Sequence, residues 1–123
     1  MRTVLVLLSQ TKKYDFFIKY GERVITKKVY VSLIADLLHA GHISVLKEAS
    51  RHGEVTVGLL TSSAINELGD VAYLKYQQRL DVINSLSMVS NVVSQEEASY
   101  KKNITEIKPD FVIHGDDWKY GEQ

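Results

Sequence analysis

Two histidines stand three residues apart in His39-Ala40-Gly41-His42. Each imidazole can donate a hydrogen bond to oxygens that gain charge as a phosphorus–oxygen bond breaks. If the pair opens a helix, the unpaired N–H groups and partial positive charge of that terminus also favour an anion. Gly41 would let the backbone approach a ligand closely. The plainer reading of the same residues is one capping histidine and one surface histidine. A zinc pair is disfavoured, because no third ligand stands nearby in the sequence. A second polar cluster, His114-Gly115-Asp116-Asp117-Trp118, lies near the end of the chain.

These clusters are useful only if secondary structure brings them together. Val29 to Ile34 is a β-rich, mostly apolar run, as expected of a strand covered on both faces. Ile43 to Ser50 reads as a helix with Ile43, Leu46 and Ala49 or Ser50 inward, ended by His52-Gly53. Glu54 to Leu60 is a second strand. Ser62 and Ser63 are N-cap candidates for a helix running to about Leu68, and Gly69-Asp70 is a turn signal. Tyr76 to Leu86 is predicted helical, Val89 to Val93 a short strand, Tyr100 to Lys108 helical, and Phe111 to Ile113 the last strand. Alternation at this spacing predicts an α/β fold, a Rossmann-like three-layer domain with a mainly parallel sheet. In such sheets ligands bind beyond the carboxyl ends of the strands, where both clusters fall.

Residues 1–27 are expected to form an extension or an extra sheet element, with Thr3 to Leu8 a strand and Lys13 to Tyr20 a short helix. Residues 28–123 are expected to form the domain that carries both clusters and any nucleotide-binding site. The 123 residues suit one domain, and 45% of them are apolar, enough for one core. Lys plus Arg and Asp plus Glu both total 15. That balance argues against a sequence-independent grip on DNA or RNA, which needs surplus positive charge. With no cysteine, disulfides, thiolate metal sites and cysteine nucleophiles are excluded. The apolar run Val4 to Leu8 is too short for a secretory segment or a membrane span. A cytoplasmic protein with no nucleic-acid or membrane partner is the expectation.

The run Asp36-Leu37-Leu38-His39-Ala40-Gly41-His42, followed by Leu46 and Ala49, resembles the first signature of the cytidylyltransferase family. Gly115-Asp116-Asp117-Trp118 resembles a segment of glycerol-3-phosphate-type enzymes. With Lys119, Gly121 and Gln123 it is similar to the branch attached to phosphoenolpyruvate mutases in phosphonate biosynthesis. So are Val57 to Thr61 and Tyr73-Leu74-x-Tyr76-x-Gln78-Arg79. The resemblance implies transfer of CMP from CTP to a phosphonate or small phosphate ester, with pyrophosphate leaving and Mg²⁺ held through the nucleotide phosphates. It implies that His39 and His42 steady the triphosphate as catalytic residues. Asp36, Gly41, Lys75, Arg79, His114, Gly115, Asp116, Asp117 and Trp118 would contact nucleotide or acceptor. No residue of the chain is expected as a dedicated metal ligand, and a homodimer is left open.

The sequence also departs from that pattern. Ile34 stands where relatives carry a hydroxyl residue near the triphosphate. Gly69-Asp70 stands where they carry lysines, with Lys75 the nearby cation that would substitute. Ser87-Met88-Val89-Ser90 replaces an Arg-Tyr-Val-Asp segment. The chain stops at Gln123, before a Gly-Ile-Ser-Thr-like phosphate signature. A fragment of a longer enzyme, or a catalytically impaired nucleotide-binding or scaffold relative, is therefore the alternative. An adenylyltransferase on the same fold ranks third.

Overall fold

The computed structural model describes the backbone of residues 3–7 and 26–115, and the side chains of 26–113. The proposed helix at Lys13 to Tyr20 and the residues Asp116, Asp117 and Trp118 lie outside them. Five strands form one sheet: β1 (Thr3–Leu7), β2 (Lys28–Leu33), β3 (Glu54–Leu60), β4 (Asn91–Gln95) and β5 (Phe111–Gly115), in the order β1-β5-β2-β3-β4. The pairs β5–β2, β2–β3 and β3–β4 are parallel, and β1 joins the β5 edge antiparallel. The N-terminal segment thus contributes a strand to the main sheet. Among the described residues no helix is long and apolar enough to cross a membrane.

Among the described residues four helices connect the strands: α1 (Ala40–Ser50), α2 (Ser62–Glu67), α3 (Tyr76–Asn84) and α4 (Lys101–Ile107). Side chains alternate between the two faces of a strand. Val29, Val31, Val55, Val57, Leu59 and Ile113 bury one face of the sheet against Val45, Leu46 and Ala49 of α1 and Ile83 of α3. On the opposite face Tyr30 meets α4 through Asn103. Helices therefore cover both faces, which is the expected three-layer arrangement.

Several boundaries differ from the sequence reading, each for a local reason. α1 begins at Ala40 rather than Ile43, because His39 caps it. Thr61, not Ser62 or Ser63, caps α2, its Oγ1 accepting from the Ala64 N–H at 3.2 Å. α3 stops at Asn84, where the Ser85 hydroxyl donates to the Val82 carbonyl at 2.7 Å. Met88 and Val89 lie in the following turn and pack on the core from there, so β4 starts at Asn91 and pairs as far as Gln95. His114 and Gly115 lie inside β5, paired with Val4 and Thr3, rather than beyond its end.

One buried polar group ties the second face together. The Tyr30 hydroxyl donates to Gln95 Oε1 at 2.6 Å and accepts from Asn103 Nδ2 at 3.0 Å. Burial pushes the Tyr30 phenol up to about 12, against an opposing effect of the Asn103 hydrogen bond. In the unfolded chain it ionises near 10. The folded state holds this proton more tightly, so its contribution is complete below pH 10 and is lost as pH rises to about 12. A shift of that size corresponds to about 2–3 kcal/mol. Urea denaturation between pH 9 and 12 should show this alkaline loss, and Tyr30→Phe should flatten it. Tyr76 and Tyr100, also raised by burial, contribute with the same sign in both proteins, so the difference isolates Tyr30. Parallel pH profiles would assign the loss elsewhere.

Candidate functional site

The carboxyl ends of β2 and β3 carry the candidate groups. β2 stops at Leu33, and Ala35 turns the chain with φ 54°, a left-handed value that non-glycine residues adopt infrequently. Ala35 is buried in the core cluster, which holds this turn in place. Asp36 follows, then Leu37 and Leu38, then the histidine turn.

His39 and His42 cap α1 reciprocally. His39 Nδ1 accepts from the Gly41 N–H at 2.9 Å, and His42 Nδ1 accepts from the His39 N–H at 3.1 Å. This is a capping box with imidazoles in place of the usual hydroxyl and carboxylate. Both histidines cap, His39 exposed and His42 half-buried, so the structural role extends to the pair and not to one histidine alone. The arrangement also sets the tautomer. A ring nitrogen that accepts a hydrogen bond carries no proton, so each neutral ring bears its proton on Nε2. The rings lie 4.2 Å apart between centroids at 51°. Two imidazoles thus meet in one turn at the carboxyl edge of the sheet.

Asp36 is engaged with the backbone of a remote segment. Its carboxylate accepts from the Tyr73 N–H at 2.7 Å and the Leu74 N–H at 2.9 Å. It therefore fastens the loop before α3 to the end of β2, across 37 and 38 residues of sequence. No local pattern signals such a contact. Gly69, with φ 86°, ends α2: its N–H donates to the Asn66 carbonyl at 2.9 Å, and that of Asp70 to Ile65 at 3.2 Å. That Schellman closure needs a left-handed residue, which explains the glycine at this point. Asp70 and Lys75 are exposed on the same loop.

Arg79, expected at the surface as a phosphate contact or a solvated charge, has no exposed area. Its Nη1 donates to the carbonyls of Leu60 at 2.6 Å and Ile34 at 3.0 Å, and its Nε to that of Leu74 at 3.1 Å. Burial pulls its pKa down, while Asp36 and then Tyr76 hold it up. A guanidinium in a protein nonetheless keeps its proton.

The chain leaves β5 at Gly115 on the same side of the sheet as it leaves β2, because the two strands are parallel neighbours. Among the described residues no group of three His, Cys, Asp or Glu could hold a metal ion. A cleft of about 180 Å³ lies beside the carboxyl end of β4, lined by Ser94, Gln95, Lys102, Asn103 and several glutamates. It contains neither histidine. Glu96, Glu97 and Glu106 in its wall would repel a phosphate, so the histidine turn is the better anion site.

A mainly parallel α/β sheet with a capped helix opening at its carboxyl edge places the protein among Rossmann-like folds. The chain belongs to the cytidylyltransferase-like family, whose profile matches residues 34–121. It is 31% identical over 96 residues to an FAD synthase of Thermoplasma volcanium, covering 77% of this chain and 68% of that protein. It is 36% identical over 104 residues to the bifunctional protein HldE of Cronobacter sakazakii, covering 82% of this chain. There it spans only 21% of the longer protein. A crystal structure titled as the lipopolysaccharide core biosynthesis protein of T. volcanium superposes with TM-score 0.65 at 30% identity, over 69% of this chain and 70% of that one.

Proposed function

We propose that this chain transfers a nucleotidyl group from a nucleoside triphosphate to a phosphate-bearing acceptor. An acceptor oxygen attacks the α-phosphorus, the bond to the β-phosphate oxygen breaks, and pyrophosphate leaves. The observation that carries this reading is the imidazole pair at the start of α1, whose Nδ1 atoms accept from the backbone, so that a neutral ring would offer its Nε2–H to a triphosphate oxygen. Mg²⁺ would enter on the nucleotide phosphates, and it needs no carboxylate cluster of its own there. It would neutralise phosphate charge, while His39, His42 and the α1 N-terminus hold the triphosphate in line.

ATP is the donor we favour. The T. volcanium relative is named for a product that joins an adenylyl group to a flavin phosphate. The second reading, CMP transfer from CTP to a phosphonate or small phosphate ester, is favoured by Gly115-Asp116-Asp117-Trp118. Calorimetric titration of ATP and CTP with Mg²⁺, followed by pyrophosphate release with FMN or an alkylphosphonate as acceptor, decides between them. Binding without turnover would support the impaired relative. No binding of either nucleotide would overturn the proposal.

Asp70 offers a separate check. Asp70→Lys removes a negative charge and adds a positive one on an exposed loop. If that loop faces the triphosphate, nucleotide affinity should rise, by about tenfold at low salt, since about 1.4 kcal/mol is one decade. The gain should shrink at 0.5 M salt, where screening is strong. Equal dissociation constants for both proteins at both salts would place the loop away from the phosphates.

A further inference from the structure

Arg79 is a charge without exposed area, and its hydrogen bonds are unusual in where they go. A buried charge is costly unless it is hydrogen-bonded. Here the acceptors are main-chain carbonyls from three separate segments: Ile34 just past β2, Leu60 at the end of β3, and Leu74 in the loop before α3. Leu74 is held through both of its main-chain polar groups. Its carbonyl accepts from Arg79, and its N–H donates to Asp36, the residue beyond the Ala35 turn. Asp36 and Arg79 thus bracket one residue, through the two peptide groups that flank it, with opposite charges. The remaining nitrogen, Nη2, is buried and has no hydrogen-bond partner among the described residues, so the guanidinium is held by geometry and not by a complete set of bonds.

We propose that Arg79 is a positioning residue that, from inside the core, sets the loop from Leu68 to Lys75 against the ends of β2 and β3. It thereby fixes where that loop stands relative to the histidine turn. The kinetic consequence rests on the nucleotidyl-transfer reading; the structural consequence does not. A lysine keeps the charge but is a single point donor without the planar fork, so it cannot span three carbonyls.

The test compares the full-length wild type with Arg79→Lys, Arg79→Met and Asp36→Asn. Residue-resolved amide hydrogen exchange by NMR reads the loop. The Tyr73 and Leu74 amides should exchange about tenfold faster or more in the Arg79 variants, the loss expected for a charged hydrogen bond. The amides of Val45 to Ala49 in α1 should change several-fold less. Asp36→Asn should reproduce the loop effect, and with Arg79→Lys it carries the test if Arg79→Met does not fold. In pyrophosphate release, Arg79→Lys should lower kcat by about tenfold or more, with nucleotide KM changed much less, as misplacement of reacting groups does. Equal acceleration of loop and α1 amides, with kcat falling only as the folded fraction falls, would overturn the proposal and leave Arg79 a stabilising core residue. A wild type that releases no pyrophosphate would defeat the functional reading, and the exchange pattern would still decide this one.

Discussion

Replacing the imidazole box by an ordinary one, His39→Ser with His42→Gln, should leave the fold intact and lower nucleotidyl transfer by about 10²–10³ or more. A Ser-x-x-Gln sequence makes two reciprocal bonds of the same kind at a helix start, its N-cap oxygen accepting from the second or third helical N–H. The Ser hydroxyl can replace His39 Nδ1 as the acceptor for the Gly41 N–H, and the Gln carbonyl can replace His42 Nδ1 for the His39 N–H. Stability should therefore change by less than about 1 kcal/mol, whereas loss of a cap to alanine costs about 0.5–2 kcal/mol. What disappears is the pair of Nε2–H donors. His39→Ala with His42→Ala should lose both stability and rate, and that contrast separates capping from chemistry. The measurements are a urea midpoint and a pyrophosphate-release rate for each protein. A box-swapped variant as fast as wild type would reduce the histidines to helix caps.

Gly58→Ala should be the most damaging single-methyl change in the sheet, costing about 3 kcal/mol or more, the upper end for overpacking. Gly58 lies in the middle of β3, between β2 and β4. A Cβ there would collide with the Tyr30 hydroxyl and its ring carbon, and would crowd Gln95 Oε1 at 2.9 Å. Tyr30 cannot swing aside without breaking its bonds to Gln95 and Asn103. The loss is a large share of the roughly 5–15 kcal/mol by which domains are stable. Tyr30→Leu in the Gly58→Ala background should recover part of it, because the ring is what the methyl meets. A double-mutant cycle by denaturant unfolding reads the coupling. Strictly additive losses would mean that Gly58 is required for another reason.

The two cases mark how far the sequence could be read. The β/α alternation was legible because buried parallel strands are continuous apolar runs, as in Val29 to Leu33 and Val55 to Leu60. The histidine turn was legible because its two residues are neighbours along the chain and on the helix. Boundaries were legible only approximately. Met88 and Val89 are apolar for the core, and periodicity cannot distinguish a packed turn from a strand. His114 and Gly115 belong to β5 because β1 pairs with them, and that partner lies at the other end of the chain.

The sequence by itself determined the class of fold and the imidazole pair at the carboxyl edge of the sheet. Both depend on residue type and local spacing. Only the tertiary structure decided what Asp36, Gly58 and Arg79 do. Asp36 and Arg79 carry charges that suggest a ligand, yet both are engaged with the backbone of remote segments. Gly58 carries no side chain at all, and its reason is the Tyr30 ring from the neighbouring strand. The physical reason is common to them: a charge or a missing Cβ is defined by what surrounds it, and here those surroundings are 19 to 45 residues away along the chain for Arg79 at β2 and β3.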